Sequence, residues 1–324
     1  MPLEYIVLAL GFVIGFYMAW NIGANDVANS MASAVGSKAI TLRQAIFIAG
    51  ILNIVGAAFI GSHVTDTIRK GIVSPDVLND PQVALLGALS ALLSAALWVS
   101  FATWKSLPVS TTHSIVGAMV GFGIISGGFG VINWPVLGAV VLSWVISPVF
   151  SMVIAFIIFK IIVRVILSRQ TSHEIALRIS PVFIGMAMFV IVLSFLFKTP
   201  LGTRLSLTSF TALLVSLVLA VLAGLAGRGA LTYFLNKKTI EKGAESIFRR
   251  IQIGTSCYVA LAQGANDVAN AIGPLALIYF LARSGVPGAQ VPVPIFLLLF
   301  GGVGIATGIA MMGSRVIRTV GERI

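Results

Sequence analysis

The chain has 324 residues, 58% of them hydrophobic and 10% charged, and a mean hydropathy of +1.05. That composition leaves too little polar surface for a soluble domain of this length and points to a polytopic all-α membrane protein; the alternating ten-residue segments of a β-barrel do not occur. The formal net charge of +11 falls mostly between apolar runs, which assigns it to membrane topology and anionic lipid head groups rather than to nucleic acid.

The first apolar segment covers 3–20 and continues into the heptapeptide Gly23-Ala24-Asn25-Asp26-Val27-Ala28-Asn29. It has no basic n-region and no small-residue cleavage site, so it is a first span rather than a signal peptide. Its Gly11-x-x-x-Gly15 is a close helix-packing face. A second span over 44–62 contains Asn53 and leads into a polar connection over 63–82, whose basic exit reads Thr67-Ile68-Arg69-Lys70-Gly71-Ile72. After an apolar run at 83–103 comes the segment 108–128, opened by Pro108-Val109-Ser110-Thr111-Thr112-His113 and containing Gly117-x-x-x-Gly121, again assigned to packing. Further spans cover 134–163, 181–198 and 206–227, with a basic linker over 164–180 and a charged loop from Asn236 to Arg250. The span 251–281 holds the single cysteine, Cys257, which excludes an intrachain disulfide, and repeats the heptapeptide as Gly264-Ala265-Asn266-Asp267-Val268-Ala269-Asn270. A last apolar run at 294–312 ends in a basic exit, Val316 to Gly321, like the one after the second span.

Charge orients these spans. If the first runs from outside to inside and every later one crosses, the inner loops hold most of the basic residues, among them Lys38, Arg43, Lys105, Lys237 and Arg250. The outer loops hold only Arg69, Lys70, Lys198, Arg204 and Arg283. The two heptapeptides then fall in the first and eighth crossings and run in opposite directions, the inverted-repeat pattern of many secondary transporters. The organisation follows: a first repeat over 1–163, linker helices and a basic cytoplasmic loop over 164–250, and a second repeat over 251–324 that is incomplete at its C-terminus. The fold class is an all-α polytopic membrane protein with inverted repeats and broken (discontinuous) transmembrane helices.

Asp26 and Asp267 are the two acids set within apolar stretches, and a carboxylate at membrane depth marks an ion or substrate path. Amide and carboxylate oxygens, with backbone carbonyls freed where glycine and alanine let a helix break, are hard ligands that suit Na⁺. A structural reading competes with this one, in which the aspartate caps a helix and the asparagines tie helices together. Near Pro108 a half-helix starts, and its free amides, positive dipole end and the hydroxyls of Ser110, Thr111 and Thr112 suit an oxyanion. The same stretch equally describes an ordinary capped helix, with His113 a first-turn polar group and Lys105 a snorkelling end residue. A cation between the two aspartates would remove their repulsion of an anion, which is the reciprocal linkage a symporter needs.

The two heptapeptides with Pro-Val-Ser-Thr-Thr-His between them resemble the inorganic phosphate transporter (PiT) family of sodium- or proton-coupled symporters. The resemblance implies a non-enzymatic, multi-pass protein of the plasma (inner) membrane that moves inorganic phosphate by alternating access. It implies Na⁺ as coupling ion, no cofactor, and a possible homodimer. By position it gives Ser110, Thr111, Thr112, Asn25 and Asn266 to phosphate, and Asp26, Asn29, Asp267 and Asn270 to Na⁺. This chain departs from the family at Asn53, where some members carry a glutamate, and at Gln263, where many carry a histidine. It also lacks the family's second Pro-Val-Ser-Thr-Thr-His. A proton-coupled phosphate or sulfate permease of the same fold remains open, as does a receptor that binds phosphate without moving it. The distant alternative is an intramembrane aspartyl hydrolase, which two carboxylates would minimally permit.

Overall fold

The computed structural model describes residues 3–61, 71–74, 77, 79–198, 202, 205–237, 243–284 and 293–323. The basic exit at 67–70, Arg204, Lys238 and Lys242 therefore lie outside the described residues. Nine helices of more than ten residues are found there: α1 Leu3–Gly36, α2 Leu42–Ile60, α3 Pro81–Trp104, α4 Thr111–Gly127, α5 Trp134–Ile162, α6 Ser172–Lys198, α7 Ser209–Lys237, α8 Ala244–Ser284 and α9 Ile295–Arg318. Eight of them are long and apolar enough to cross a membrane; α4, with 17 residues, is the short one.

Local sequence sets the helix starts. Thr41 and Gln44 form a reciprocal capping box on α2. Asp80 accepts from the Gln82 and Val83 amides ahead of α3, which has Pro81 in its first turn. Nearer the C-terminus, α8 carries Pro274 within a 41-residue helix.

The chain divides into two compact units, Met1–Ala139 with Ser256–Ile324, and Val140–Thr255. The second is wider than the 164–250 linker expected from charge and polarity. Within it α6 and α7 run antiparallel at close range: a methyl on Gly224 would come 2.5 Å from the Pro181 carbonyl oxygen, and one on Gly185 would come 3.1 Å from that of Ala220. Ile166, Ala176, Leu231, Ala244 and Ile247 form its small core.

The first unit holds the larger core, in which Met18, Ile22, Leu92, Ile272, Leu275 and Ile305 are among the fully buried side chains, interleaved with many alanines. Lipid tails are as apolar as leucine, so close packing rather than hydrophobicity must hold these helices together, and small residues permit it. A methyl on Gly11 would strike Ile278 and one on Gly15 would strike Leu275, so α1 and α8 run antiparallel and Gly11-x-x-x-Gly15 is a packing face. Gly117 and Gly121 have nothing within 4 Å of such a methyl, so the packing role expected for that pair is absent among the described residues.

The crossings of this unit recur in exchanged form. Gly23 in the first heptapeptide sits against the Ile305 carbonyl of α9, and Gly264, its counterpart in the second, sits against the Asn53 carbonyl of α2. Gly308 of α9 approaches the Trp20 carbonyl, and Gly56 of α2 approaches that of Leu261. Gly313 meets Val27, and Gly61 meets Val268. Swapping α1 with α8, and α2 with α9, thus turns each contact into another that is present.

The heptapeptide helices are continuous. Both copies lie inside helices, α1 and α8, that do not break at Gly23 or Gly264; the one heptapeptide carbonyl deprived of its helical donor is that of Asn270, because Pro274 four residues on has no N–H. Gly23 and Gly264 serve close approach instead of a break: methyls on them would lie 1.9 Å and 2.3 Å from carbonyl oxygens of the facing helix. The discontinuity lies elsewhere, between α3 and α4.

Candidate functional site

Helix α3 ends at Trp104, and the chain turns through Ser106, a non-glycine residue at φ 60°, before the extended stretch into α4. The Lys105, Ser106 and Leu107 amides still bond back to Phe101, Thr103 and Ala102. Pro108 then has no amide to continue the pattern. Helix α4 starts at Thr111, three residues later than Pro108 suggests. Ser110 is its N-cap at φ −84°, ψ 119° and accepts from the His113 amide at 3.2 Å. From there α4 turns back along α3, with Phe122 over Gly87.

Three elements converge on that first turn. The Thr111 hydroxyl donates to Asp26 Oδ2 at 2.6 Å. From the other copy, Asn270 Nδ2 donates to the hydroxyl oxygens of Thr111 at 3.3 Å and Thr112 at 3.1 Å. One residue thereby joins α1, α4 and α8.

Beside this junction lies a cavity of about 250 Å³ lined by Asp26, Asn29, Pro108, Val109, Ser110, Thr111, Thr112 and Asp267. Two carboxylates, two threonine hydroxyls and the amide end of a helix therefore face one small space. Asp26 is buried, and its Oδ1 has no hydrogen-bond partner. An orphaned carboxylate oxygen at membrane depth beside a second carboxylate is strongly disfavoured unless a cation or a proton neutralises it. The donor set fits Na⁺: all oxygen, with no cluster of three His, Cys, Asp or Glu among the described residues to favour a transition metal.

Of the nine residues singled out by sequence, Asp26, Asn29, Ser110, Thr111, Thr112 and Asp267 line the cavity, and Asn270 holds its hydroxyls. Asn25 and Asn266 are not among the lining residues. Asn25 is buried behind the cavity, with Nδ2 donating to Thr103 Oγ1 and the Leu107 carbonyl and Oδ1 accepting from the Val109 amide. Asn266 is exposed. Lys105 is also outside the cavity, its ammonium 4.3 Å from the Trp104 ring centroid.

The sequence reading passed over Thr103 and a polar seam between α1 and α3. There Tyr17 Oη bonds Ser100 Oγ, Ser100 donates to Asn21 Oδ1 at 2.7 Å, and Asn21 donates to the Tyr17 carbonyl. Its signal was available: Tyr17, Asn21 and Asn25 recur every four residues, the spacing of one helix face.

Comparison with known proteins adds an independent line. The sequence profile described as the phosphate transporter family matches residues 22–324. The putative phosphate permease of Pyrococcus horikoshii is 47% identical, over 99% of this chain and 78% of its own length. The chloroplastic inorganic phosphate transporter 2-1 of Arabidopsis thaliana is 39% identical, over 96% of this chain and 57% of its own length. A solved structure described as the sodium-dependent phosphate transporter superposes with a TM-score of 0.88 at 42% identity, over 98% of this chain and 78% of that one.

Proposed function

The chain belongs to the phosphate transporter family of multi-pass membrane proteins, and from that premise we propose that it moves inorganic phosphate by Na⁺-coupled symport with alternating access. It is a transporter and not an enzyme. The observation that carries the coupling is the single cavity in which Asp26 and Asp267 face the amide end of α4 and the hydroxyls of Thr111 and Thr112.

An anion placed there meets two negative charges in a medium of low dielectric, where repulsion is strong. Na⁺ taken up at Asp26, Asn29, Asp267 and Asn270 cancels that repulsion and leaves Ser110, Thr111 and Thr112 to bond the phosphate oxygens. Each ligand then raises the affinity for the other by the same factor, so the loaded carrier holds both or neither. The dipole of α4 contributes in the same sense, with its N-terminus towards the anion. Antiparallel α1 and α8, with their exchanged contacts on α9 and α2, support an inverted repeat. Two such halves can swap conformations and so open the central site to either side.

The test is uptake by the full-length protein in sealed proteoliposomes. An inward Na⁺ gradient should drive accumulation of labelled phosphate, and excess sulfate should compete poorly. Uptake that ignores Na⁺ and follows a pH gradient would replace Na⁺ coupling with proton coupling. Binding without accumulation would make the protein a receptor.

A further inference from the structure

We infer that Asn25 is a positioning residue: it does not touch phosphate but holds the segment 103–109 so that the first turn of α4 presents its amides and hydroxyls to the cavity. The inference rests on the proposed transport of phosphate at that site and assigns Asn25 a role there different from its neighbours in the heptapeptide.

Geometry carries it. The Asn25 side chain is 1% exposed, and it does not line the cavity. Both halves of its amide are engaged: Nδ2 donates to Thr103 Oγ1 at 2.9 Å and to the Leu107 carbonyl at 3.0 Å, and Oδ1 accepts from the Val109 amide at 2.9 Å. These three partners bracket the break between α3 and α4. Thr103 lies in the last turn of α3, Leu107 and Val109 flank Pro108, and Ser110 caps α4.

Backbone at a break has lost its helical partners, and buried polar groups must find others. A side-chain amide can accept and donate at once, so one asparagine closes both ends of the gap. An aspartate could not donate here, and a serine could not span the partners. Asn25 also immediately precedes Asp26 on α1. The clamp and the Thr111–Asp26 bond therefore fix the α4 turn to the same helix turn that supplies the cation-binding carboxylate.

The experiment uses full-length protein in proteoliposomes together with hydrogen–deuterium exchange. Asn25→Ala should raise the phosphate KM by ~10-fold, the loss of roughly one well-made hydrogen bond's worth of orientation at the cradle, with a smaller change in maximal rate. Half-saturation by Na⁺, measured at saturating phosphate, should move less. Exchange at the amides of 107–113 should rise in the same variant, and this readout needs no transport. Thr103→Val removes one partner from the other side and should give a smaller KM increase. The double variant should be no worse than Asn25→Ala, since both act through one clamp. A KM equal to wild type overturns the inference. A raised KM with unchanged exchange at 107–113 also overturns it, because Asn25 would then contact phosphate itself, and so does full additivity with Thr103→Val. If Asn25→Ala does not fold, Thr103→Val alone decides by the same two readouts. Absence of uptake by the wild type would instead remove the proposed function and leave the exchange result standing.

Discussion

Replacing Gln263 by isoleucine should stabilise the protein, although glutamine is the polar residue beside the second heptapeptide. Gln263 is 8% exposed, and neither its Nε2 nor its Oε1 has a hydrogen-bond partner. On α2, Asn53 is fully buried with Oδ1 equally orphaned, while its Nδ2 donates to the Ala49 carbonyl at 2.9 Å. The exchange of contacts between the repeats places Ile22 opposite Gln263 and Ile305 opposite Asn53. Both isoleucines are fully buried, so the mirrored crossing already accommodates that shape. Each buried unsatisfied polar group costs about 1–3 kcal/mol. Gln263→Ile removes two such groups and sacrifices no bond, so a gain of about 2 kcal/mol or more follows. Asn53→Ile removes one orphan and also loses a bond worth about 1 kcal/mol, so it should fall near neutral.

The assay is thermal unfolding in detergent, where ~1 kcal/mol moves Tm by roughly 2–4 °C in chains somewhat shorter than this. Gln263→Ile should therefore melt a few degrees higher than wild type, and Asn53→Ile close to it. A lower Tm for Gln263→Ile would refute the reasoning, because its amide would then be held by a bound water or ion, or the two crossings would not be equivalent.

Asp26→Asn and Asp267→Asn should each abolish Na⁺-stimulated phosphate uptake while leaving Tm near wild type; normal uptake by either variant rules out the paired site. Thr111→Val, which severs the bonds to Asp26 and Asn270, should raise the phosphate KM by ~10-fold or more, a charge-assisted bond being worth about 1.5–3 kcal/mol, and Thr111→Ser should restore most of it. Gly23→Ala and Gly308→Ala should lower Tm markedly, since the added methyl would sit 1.9 Å and 1.8 Å from a facing carbonyl oxygen. Gly117→Ala meets nothing within 4 Å and should be neutral or stabilising by up to about 1 kcal/mol from helix propensity alone.

The spans were legible in sequence because their signal is one of length and apolarity, which the bilayer imposes on each helix separately. The half-helix was legible because proline and a hydroxyl cap act within four residues of one another. The heptapeptides were recognisable as a site but misread in their local form. Gly23 and Gly264 suggested a break, yet whether a glycine breaks a helix or receives a neighbour depends on what packs against it. That neighbour is Ile305 or Asn53, far off in the chain. Asn25 shows the same limit: the resemblance gives it to phosphate by position, whereas its hydrogen-bond partners Thr103, Leu107 and Val109 lie far off in the chain. Gly117 and Gly121 show the converse, a packing pattern with nothing packed on it among the described residues.

The two heptapeptides meet the first turn of α4 through different residues. The first turn of α4 engages the first asparagine and the aspartate of one copy, Asn25 directly before it and Asp26 through Thr111, but only the last asparagine of the other, Asn270. The same exchange that maps Gly23 onto Gly264 maps these onto Asn266, Asp267 and Asn29. Asn266 and Asn29 are exposed, whereas Asn25 and Asn270 are buried. One Ser/Thr turn therefore reads the two copies at complementary positions. The carboxylates come one per copy and line the same cavity, and the Asp26 oxygen that does not accept from Thr111 has no hydrogen-bond partner.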